Sequence, residues 1–336
     1  MKIRALRNAA LALAVALGLT ACTAGISGNA QEGKTMVLSL NQSESHPSFI
    51  ALTDFGERLK AATDGRWDVK VYPNETLGAQ QEVIQLVSDG SVDMAIASGT
   101  QLENLNPDFG TLNLPTVFES IDHQIKVLRD KGIVGDLFTS LEDSKHLMVL
   151  GGLTQGDRNL YTTKGPLTEP NDLAGMKIRV QESELHIKML NAMGASATPM
   201  SYGEVYTALQ SGVLDGAENN EISYTTQKHN EVGKYVARTR HLVGLDYMLV
   251  NSDLLADMSE TDRTVLENEW QKTVDEHVKL WNADTQKAIA SAEASGSKFN
   301  DVDQEAFTQA LAPVVEDALK GEKARALYDD IKEAGK

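Results

Sequence analysis

The stretch "MKIRVQESELHIKMLNAMG", residues 176–194, decides the fold class because its side-chain period changes partway along. Up to Gln181 the residues alternate: Ile178 and Val180 share one face, while Lys177, Arg179 and Gln181 share the other, the period of a β-strand. From Glu182 to Gly194 the chain reads as a helix. A strand running directly into a helix is the unit of an α/β fold. Arg179 is open to two readings on this pattern. A polar strand face is ordinarily wetted surface, and an arginine among apolar neighbours is also a candidate for gripping a ligand.

The same unit recurs on both sides. "TMVLSLNQ" from Thr35 reads as a strand, and "SHPSFIALTDFGERLKAATDG" as a helix. Pro47 suits the first helical position, Phe49, Leu52, Phe55 and Leu59 keep helical spacing, and Gly65 supplies the stop. "RWDVKVYP" alternates, with Trp67, Val69 and Val71 on one face; "AQQEVIQLVSDG" is a helix and "VDMAIASG" a strand. After the apolar strand "LMVLGG", residues 147–152, the alternation restarts with "RNLYTTK", the decisive stretch itself, "YGEVYTALQSG" and "VLDGAENN". The expectation is an α/β fold, a mostly parallel sheet with helices on its faces, in two lobes, the second beginning near Gly156. A long helix is expected from Ser259, where Ser-Glu-Thr-Asp forms a capping pattern. Leu266, Trp270, Val274, Val278 and Trp281 continue it, and no breaker follows until Gly296. At 1.5 Å per residue it extends about 50 Å, enough to lie across both lobes.

At 336 residues with 41% apolar side chains, the chain can build a large core in two domains. Lys and Arg total 31 against 48 Asp and Glu, a formal charge of −17, which argues against a protein that reads nucleic-acid backbone. The N-terminus points outside the cytoplasm. Lys2, Arg4 and Arg7 precede an apolar run, residues 9–19, too short to span a bilayer, and "LTAC" follows at residues 19–22. The pattern resembles the lipobox of bacterial lipoproteins, in which cleavage before the cysteine leaves it lipidated. Cys22 is also the only cysteine. Residues 1–21 are therefore expected to be a signal peptide, Cys22 the lipid anchor and residues 22–33 a flexible tether.

Histidines stand at 46, 123, 146, 186, 229, 241 and 277, with no His-Glu-x-x-His and no cysteine partners, so no metal site is expected. The chain contains no phosphate-binding or dinucleotide-binding glycine loop and no nucleophile elbow, and no cofactor is expected.

Four segments together resemble the solute-binding proteins of TRAP transporters, the C4-dicarboxylate-binding-protein family. They are "YPNETLGAQQEVIQLVSDGSVDMA" (72–95), "DLAGMKIRVQES" (172–183), "NAMGASATPMSYGEVYTALQSGVLDGAENN" (191–220) and "DMSETDRTVLENEW" (257–270). The resemblance implies a two-lobed, periplasmic-binding-protein-like (type II-like) fold with hinge strands and a long helix spanning both lobes. Lobe I is expected to comprise residues 34–155 plus 245–283, and lobe II residues 156–244 plus 284–336. The resemblance also implies roles for residues at matching positions. Arg179 would grip a solute carboxylate, a task that suits a planar fork that stays charged when buried. Arg158 would lie near that carboxylate, Asn219 would hydrogen-bond the solute, Glu218 would order the arginines or accept a hydroxyl, and Tyr202 would form an aromatic wall. Asn41, Gln42, Gln81, Glu82 and Ser98 would supply contacts from the first lobe. Where the family has Gln-Glu-Asn-Pro after Asp-Gly, this chain has Ala217, Glu218, Asn219 and Asn220. That version, with "QKHNEVGKY" at residues 227–235, resembles members that bind sugar acids, particularly hexuronates.

The function expected is thus an extracytoplasmic receptor, lipid-anchored and monomeric, that binds an organic acid and hands it to a membrane permease. C4-dicarboxylates and other carboxylates stay open as its solute, and a signalling protein as its partner. The rival of another class is a secreted sugar-acid enzyme using Glu82 with Glu218 as an acid/base pair.

Overall fold

In the computed structural model the described residues are 33–336. The expected signal peptide, the lipidation site Cys22 and all of the tether but Gly33 lie outside them.

Nine strands form one sheet: β1 (Lys34–Ser39), β2 (Trp67–Tyr72), β3 (Met94–Ser98), β4 (Leu147–Thr162), β5 (Lys177–Val180), β6 (Ser196–Pro199), β7 (Gly216–Asn219), β8 (Tyr235–Asn251) and β9 (Lys298–Asn300). Their order is β2-β1-β3-β8-β4-β7-β5-β6, with β9 on β8. The first lobe is built on β1 between β2 and β3, the second on β5 between β6 and β7, and all four of these pairs are parallel. Each lobe repeats the strand-to-helix unit read from the sequence. The helix Pro47–Ala62 starts at Pro47, with His46 accepting from the Ser48 N–H, and presents Leu52, Phe55 and Leu59 to the core. The helix Glu184–Ala192 follows β5 directly, with Ser183 as its cap.

β4 and β8, of 16 and 17 residues, run antiparallel through both lobes and join them. The sequence read residues 147–152 and "RNLYTTK" as two strands; they are one, since the glycine-rich middle carries the strand on through irregular pairing, with Gly156 in the left-handed region. The register of β4 on β8 slips between Val149 and Gly151, Thr154 and Asp157, and Arg158 and Leu160. Such bulges bend and twist a ribbon. The long helix Glu260–Ala294 has 35 residues and is capped by Ser259, which accepts from the Asp262 N–H. It crosses β4 where that strand is slimmest: a Cβ at Gly151 would overlap the Trp270 indole, and one at Gly156 would overlap that of Trp281. Arg58 of the first lobe bonds Glu269, Thr273 and Glu276 of this helix, while farther along Trp281 and Ala288 pack against Ile222 of the second lobe.

The terminal segment departs from the expected division. The helix Gln304–Ala318 does pack on the second lobe, burying Phe307, Leu311 and Val314 in a cluster that includes Leu185 and Met189. The helix Glu322–Ala334 returns to the first-lobe helix Ile121–Arg129, where His123 Nε2 meets the Ile331 carbonyl at 2.8 Å and Lys332 pairs with Glu119 at 2.8 Å. Gly321 starts this last helix without a side chain, and the chain redirects there to bury Ile331.

Candidate functional site

Arg179 lies in β5, between β6 and β7, and only 3% of its surface is exposed. The wetted-surface reading therefore fails for this residue, although Lys177 on the same strand face is exposed. Strand alternation fixes the direction of a side chain, not what covers that face; here Met200 and Tyr202 lie against Arg179, and Ser98 and Thr100 of the first lobe meet Gln181 on the same face.

The hydrogen bonds of Arg179 leave one edge of its fork open. Nε and Nη2 both donate to the Met200 carbonyl, at 3.0 and 2.8 Å. That occupies the side edge of the guanidinium. The end-on Nη1/Nη2 edge has no partner among the described residues, and two parallel N–H groups there match the two oxygens of a carboxylate. The Tyr202 ring lies beneath, its centroid 5.7 Å from Cζ. Burial lowers the Arg179 guanidinium from its ordinary value while Glu218 partly restores it, and the group remains a cation.

Arg158 is equally buried, but four of its five N–H groups are engaged. Its Nε donates to Glu218 Oε2 at 2.5 Å, Nη2 to Glu218 Oε1 at 2.7 Å and to the Glu218 carbonyl at 3.1 Å, and Nη1 to Gln155 Oε1 at 2.7 Å. Gln155 in turn donates to Asp246, and His241 Nε2 stands 3.5 Å from Glu218. Burial alone would raise the Glu218 carboxyl; the charge and hydrogen bonds of Arg158, with His241, hold it far below the usual carboxylate range. Asp246, buried behind them, is pushed up to about 6. Glu218 is bonded to Arg158, and no carboxylate among the described residues is bonded to Arg179, so a solute carboxylate could take that place.

Asn219, at the end of β7, accepts from the Asn220 N–H through Oδ1 at 2.9 Å and donates from Nδ2 to the Tyr202 hydroxyl at 3.3 Å. Asn41 and Gln42, just beyond β1, are buried, and their side-chain carbonyl oxygens have no partner among the described residues. Ser98, at the end of β3, donates from Oγ to Gln181 Oε1 at 2.6 Å, so its hydroxyl joins the two lobes. Further contacts cross the cleft: Gly203 N–H to Glu75 Oε2 (3.0 Å), Ser183 Oγ to Glu103 Oε2 (2.7 Å) and Ser223 Oγ with His46 Nε2 (3.4 Å). The lobes are closed over the site.

Two expected first-lobe residues fall outside it. Gln81 and Glu82 are exposed at the start of the helix Gln80–Ser88, where Glu82 Oε2 accepts from the Ala79 N–H at 3.1 Å. Gln80 takes the inward position and accepts from the Ser98 N–H at 2.7 Å. The helix starts in the register that lets Glu82 cap it, which turns the residue before Gln81 inward. Glu82 and Glu218 thus form no acid/base pair, one being exposed at a helix start and the other locked to Arg158. Sequence reasoning missed Gln80, Gln155, Gln181, His241, Asp246 and Glu75. Gln181 shares the strand face of Arg179 and was the one signalled by pattern; Gln80 opens a helix whose register the sequence left undecided, Glu75 lies in a loop, and Gln155, His241 and Asp246 lie in the crossing strands.

The chain matches the family model described as bacterial extracellular solute-binding protein, family 7, over residues 38–322. It is 34% identical over 292 residues, 86% of each chain, to a solute-binding protein of Chromohalobacter salexigens. Among solved structures it resembles a TRAP periplasmic solute-binding protein of Anaerococcus prevotii with bound α/β-D-glucuronate. That pair is 35% identical with a TM-score of 0.87, covering 90% of this chain and 98% of that one. A Bradyrhizobium TRAP protein in complex with α/β-D-galacturonate is 32% identical with a TM-score of 0.85, covering 89% and 100%.

Proposed function

Because the chain belongs to family 7 of the bacterial extracellular solute-binding proteins, the receptors of TRAP transporters, we propose that its own solute is a hexuronate of the glucuronate or galacturonate type. Arg179 carries this reading: a buried cation whose end-on edge is free to take one carboxylate. Tyr202 braces the guanidinium from below. Arg158, committed to Glu218 and Gln155, contributes charge and rigidity, not a second grip. Asn219 from one lobe and Asn41 and Gln42 from the other face the hydroxyls, and the uronates bound by the two related proteins are monoacids rich in hydroxyls.

The family is one of receptors, not enzymes, and binding acts by shifting an open-to-closed equilibrium through the solute's higher affinity for the closed form. The closed receptor then docks, as a monomer, on a membrane permease. Cys22 holds it at the membrane through a lipid; a Cys22→Ser chain that still took up a labelled acyl group would refute this.

A thermal-shift screen of hexuronates, aldonates, C4-dicarboxylates and sialic acid tests the solute. Ligand at a hundredfold excess over its Kd contributes about 2.7 kcal/mol, a rise in Tm of roughly 5 °C or more. The rise is expected with a hexuronate. A rise with succinate or malate alone would replace the hexuronate by a dicarboxylate.

A further inference from the structure

Beyond β2 the chain places two consecutive non-glycine residues in the left-handed region, Asn74 at φ 58° and Glu75 at φ 53°. Such a conformation persists only where surrounding contacts impose it. Here the Asn74 N–H donates to the Gln42 carbonyl at 3.0 Å and the Glu75 N–H to the Leu40 carbonyl at 3.2 Å, fastening the loop to the segment that follows β1. The consequence is that Glu75 reaches across the cleft. Its Oε2 accepts from the Gly203 N–H, and a Cβ at position 203 would stand 2.8 Å from that oxygen, so a side chain there would push the carboxylate aside.

The other oxygen, Oε1, is buried without a partner among the described residues, as are Asn41 Oδ1 and Gln42 Oε1. Glu75 and Asn41 line one small cavity with Ser39, Gly78 and Gln80. The first-lobe side of the site therefore presents acceptors in want of donors, and a buried acceptor left unpaired is costly. Hydroxyls supply donors; a second carboxylate supplies none. The charges near Glu75 sharpen this. Arg179 attracts it, whereas Glu182 and Glu204 on the second lobe add to the negative field at that end. Any second anionic group on the solute would meet that field while Arg179 is occupied by the first carboxylate.

We propose that Glu75 sets the solute class of this cleft: its free carboxylate oxygen accepts a hydroxyl of a monoacid held by Arg179, and its charge turns away acids with a second carboxylate at the far end. The proposal rests on the hexuronate reading and names the group that enforces it. Discrimination arises as much from what the site repels as from what it binds.

The test is calorimetric titration of the full chain with D-glucuronate, with D-glucarate, whose C1 is a carboxylate instead of the aldehyde that closes the uronate ring, and with succinate. The wild type is expected to prefer glucuronate to glucarate by about a hundredfold or more, the scale set by one unpaired buried polar group. Glu75→Gln, which keeps the shape and removes the charge, should weaken glucuronate by about tenfold and shrink the glucuronate/glucarate ratio by at least about tenfold. Gly203→Ala, which unseats the carboxylate, should shrink the same ratio. A purely structural role for Glu75 would weaken all solutes alike and leave the ratio in place, and that result in both variants overturns the assignment while the receptor keeps its hexuronate. A wild type that binds no uronate overturns the hexuronate reading itself, and the Glu75 assignment with it.

Discussion

Arg158 and Arg179 are both buried cations of one lobe, and what separates them is the state of their hydrogen bonds. Arg158 has four of its five N–H groups bonded, three of them to Glu218; Arg179 keeps an edge unused. Removing Glu218 would leave Arg158 as an uncompensated buried charge. Glu218→Gln is therefore expected to destabilise the protein by about 3–5 kcal/mol and to lower Tm by about 6 °C or more, checked by a thermal melt. A fall under 2 °C would mean that the pair contributes little. At this scale the sequence singled out Arg179, Asn219 and Tyr202 by residue type, and the structure buries the three beside one another. The sequence was uninformative about which neighbour consumes which donor, since that depends on pairs distant in sequence such as Arg158 with Glu218, or Arg179 with Met200. Gln80 and Gln81 show the limit: one step of register at a helix start exchanged an inward glutamine for an exposed one.

Among elements, the β4/β8 ribbon and the helix Glu260–Ala294 determine how the lobes relate. The helix was legible from end to end, since its cap and its next breaker both stand in the sequence. The continuity of β4 was not, because "GGLTQGD" carries no alternating pattern and reads as a break. Those glycines serve the crossing: Gly156 has φ 57°, and the Trp281 indole occupies the space a side chain would need. Gly156→Ala combines left-handed strain with a clash and is expected to cost about 1–3 kcal/mol, seen as a lowered Tm. Gly165→Ala, at a position with open space and no left-handed φ, is the matched control and should leave Tm nearly unchanged. Equal effects of the two would remove the tryptophan contact from the account of the hinge.

Over the whole molecule, buried ionisable groups make stability depend on pH. His46, His186, His229 and His277 are pushed down to about 3, by burial first, with added repulsion from His277 at His46. Folded values below the ordinary 6.5 mean that the unfolded chain takes up these protons first, so stability is complete above about pH 6.5 and declines as pH falls from there toward 3. Asp246, pushed up to about 6, and Glu103, pushed up to about 7, act in the opposite sense: their contribution is present in acid and is lost as pH rises through those values. Glu75, Asp157 and Glu221 are shifted the same way. The histidines dominate, because each is displaced further than either of the two large carboxyl shifts. Below about pH 4.5 Glu218 adds to the decline, because the unfolded chain takes up its proton while the folded state, with Arg158 beside it, keeps the carboxylate ionised. Tm is expected to change little between pH 7 and 8 and to fall below about pH 6, by on the order of 1 kcal/mol per pH unit for each uncompensated proton. A Tm that rose on going from pH 7 to pH 5 would show that the carboxyls outweigh the histidines.

The account turns on a single carboxylate entering the open edge of Arg179 inside a closed cleft. The most direct measurement is the calorimetric affinity of D-glucuronate and D-galacturonate for the wild type and for Arg179→Lys, which keeps the charge but has no planar fork. The expected result is saturable one-to-one binding of at least one uronate to the wild type, weakened by about a hundredfold in the lysine variant, with the two melting alike in the absence of solute. Uronate binding of equal strength in both proteins would contradict the grip assigned to Arg179.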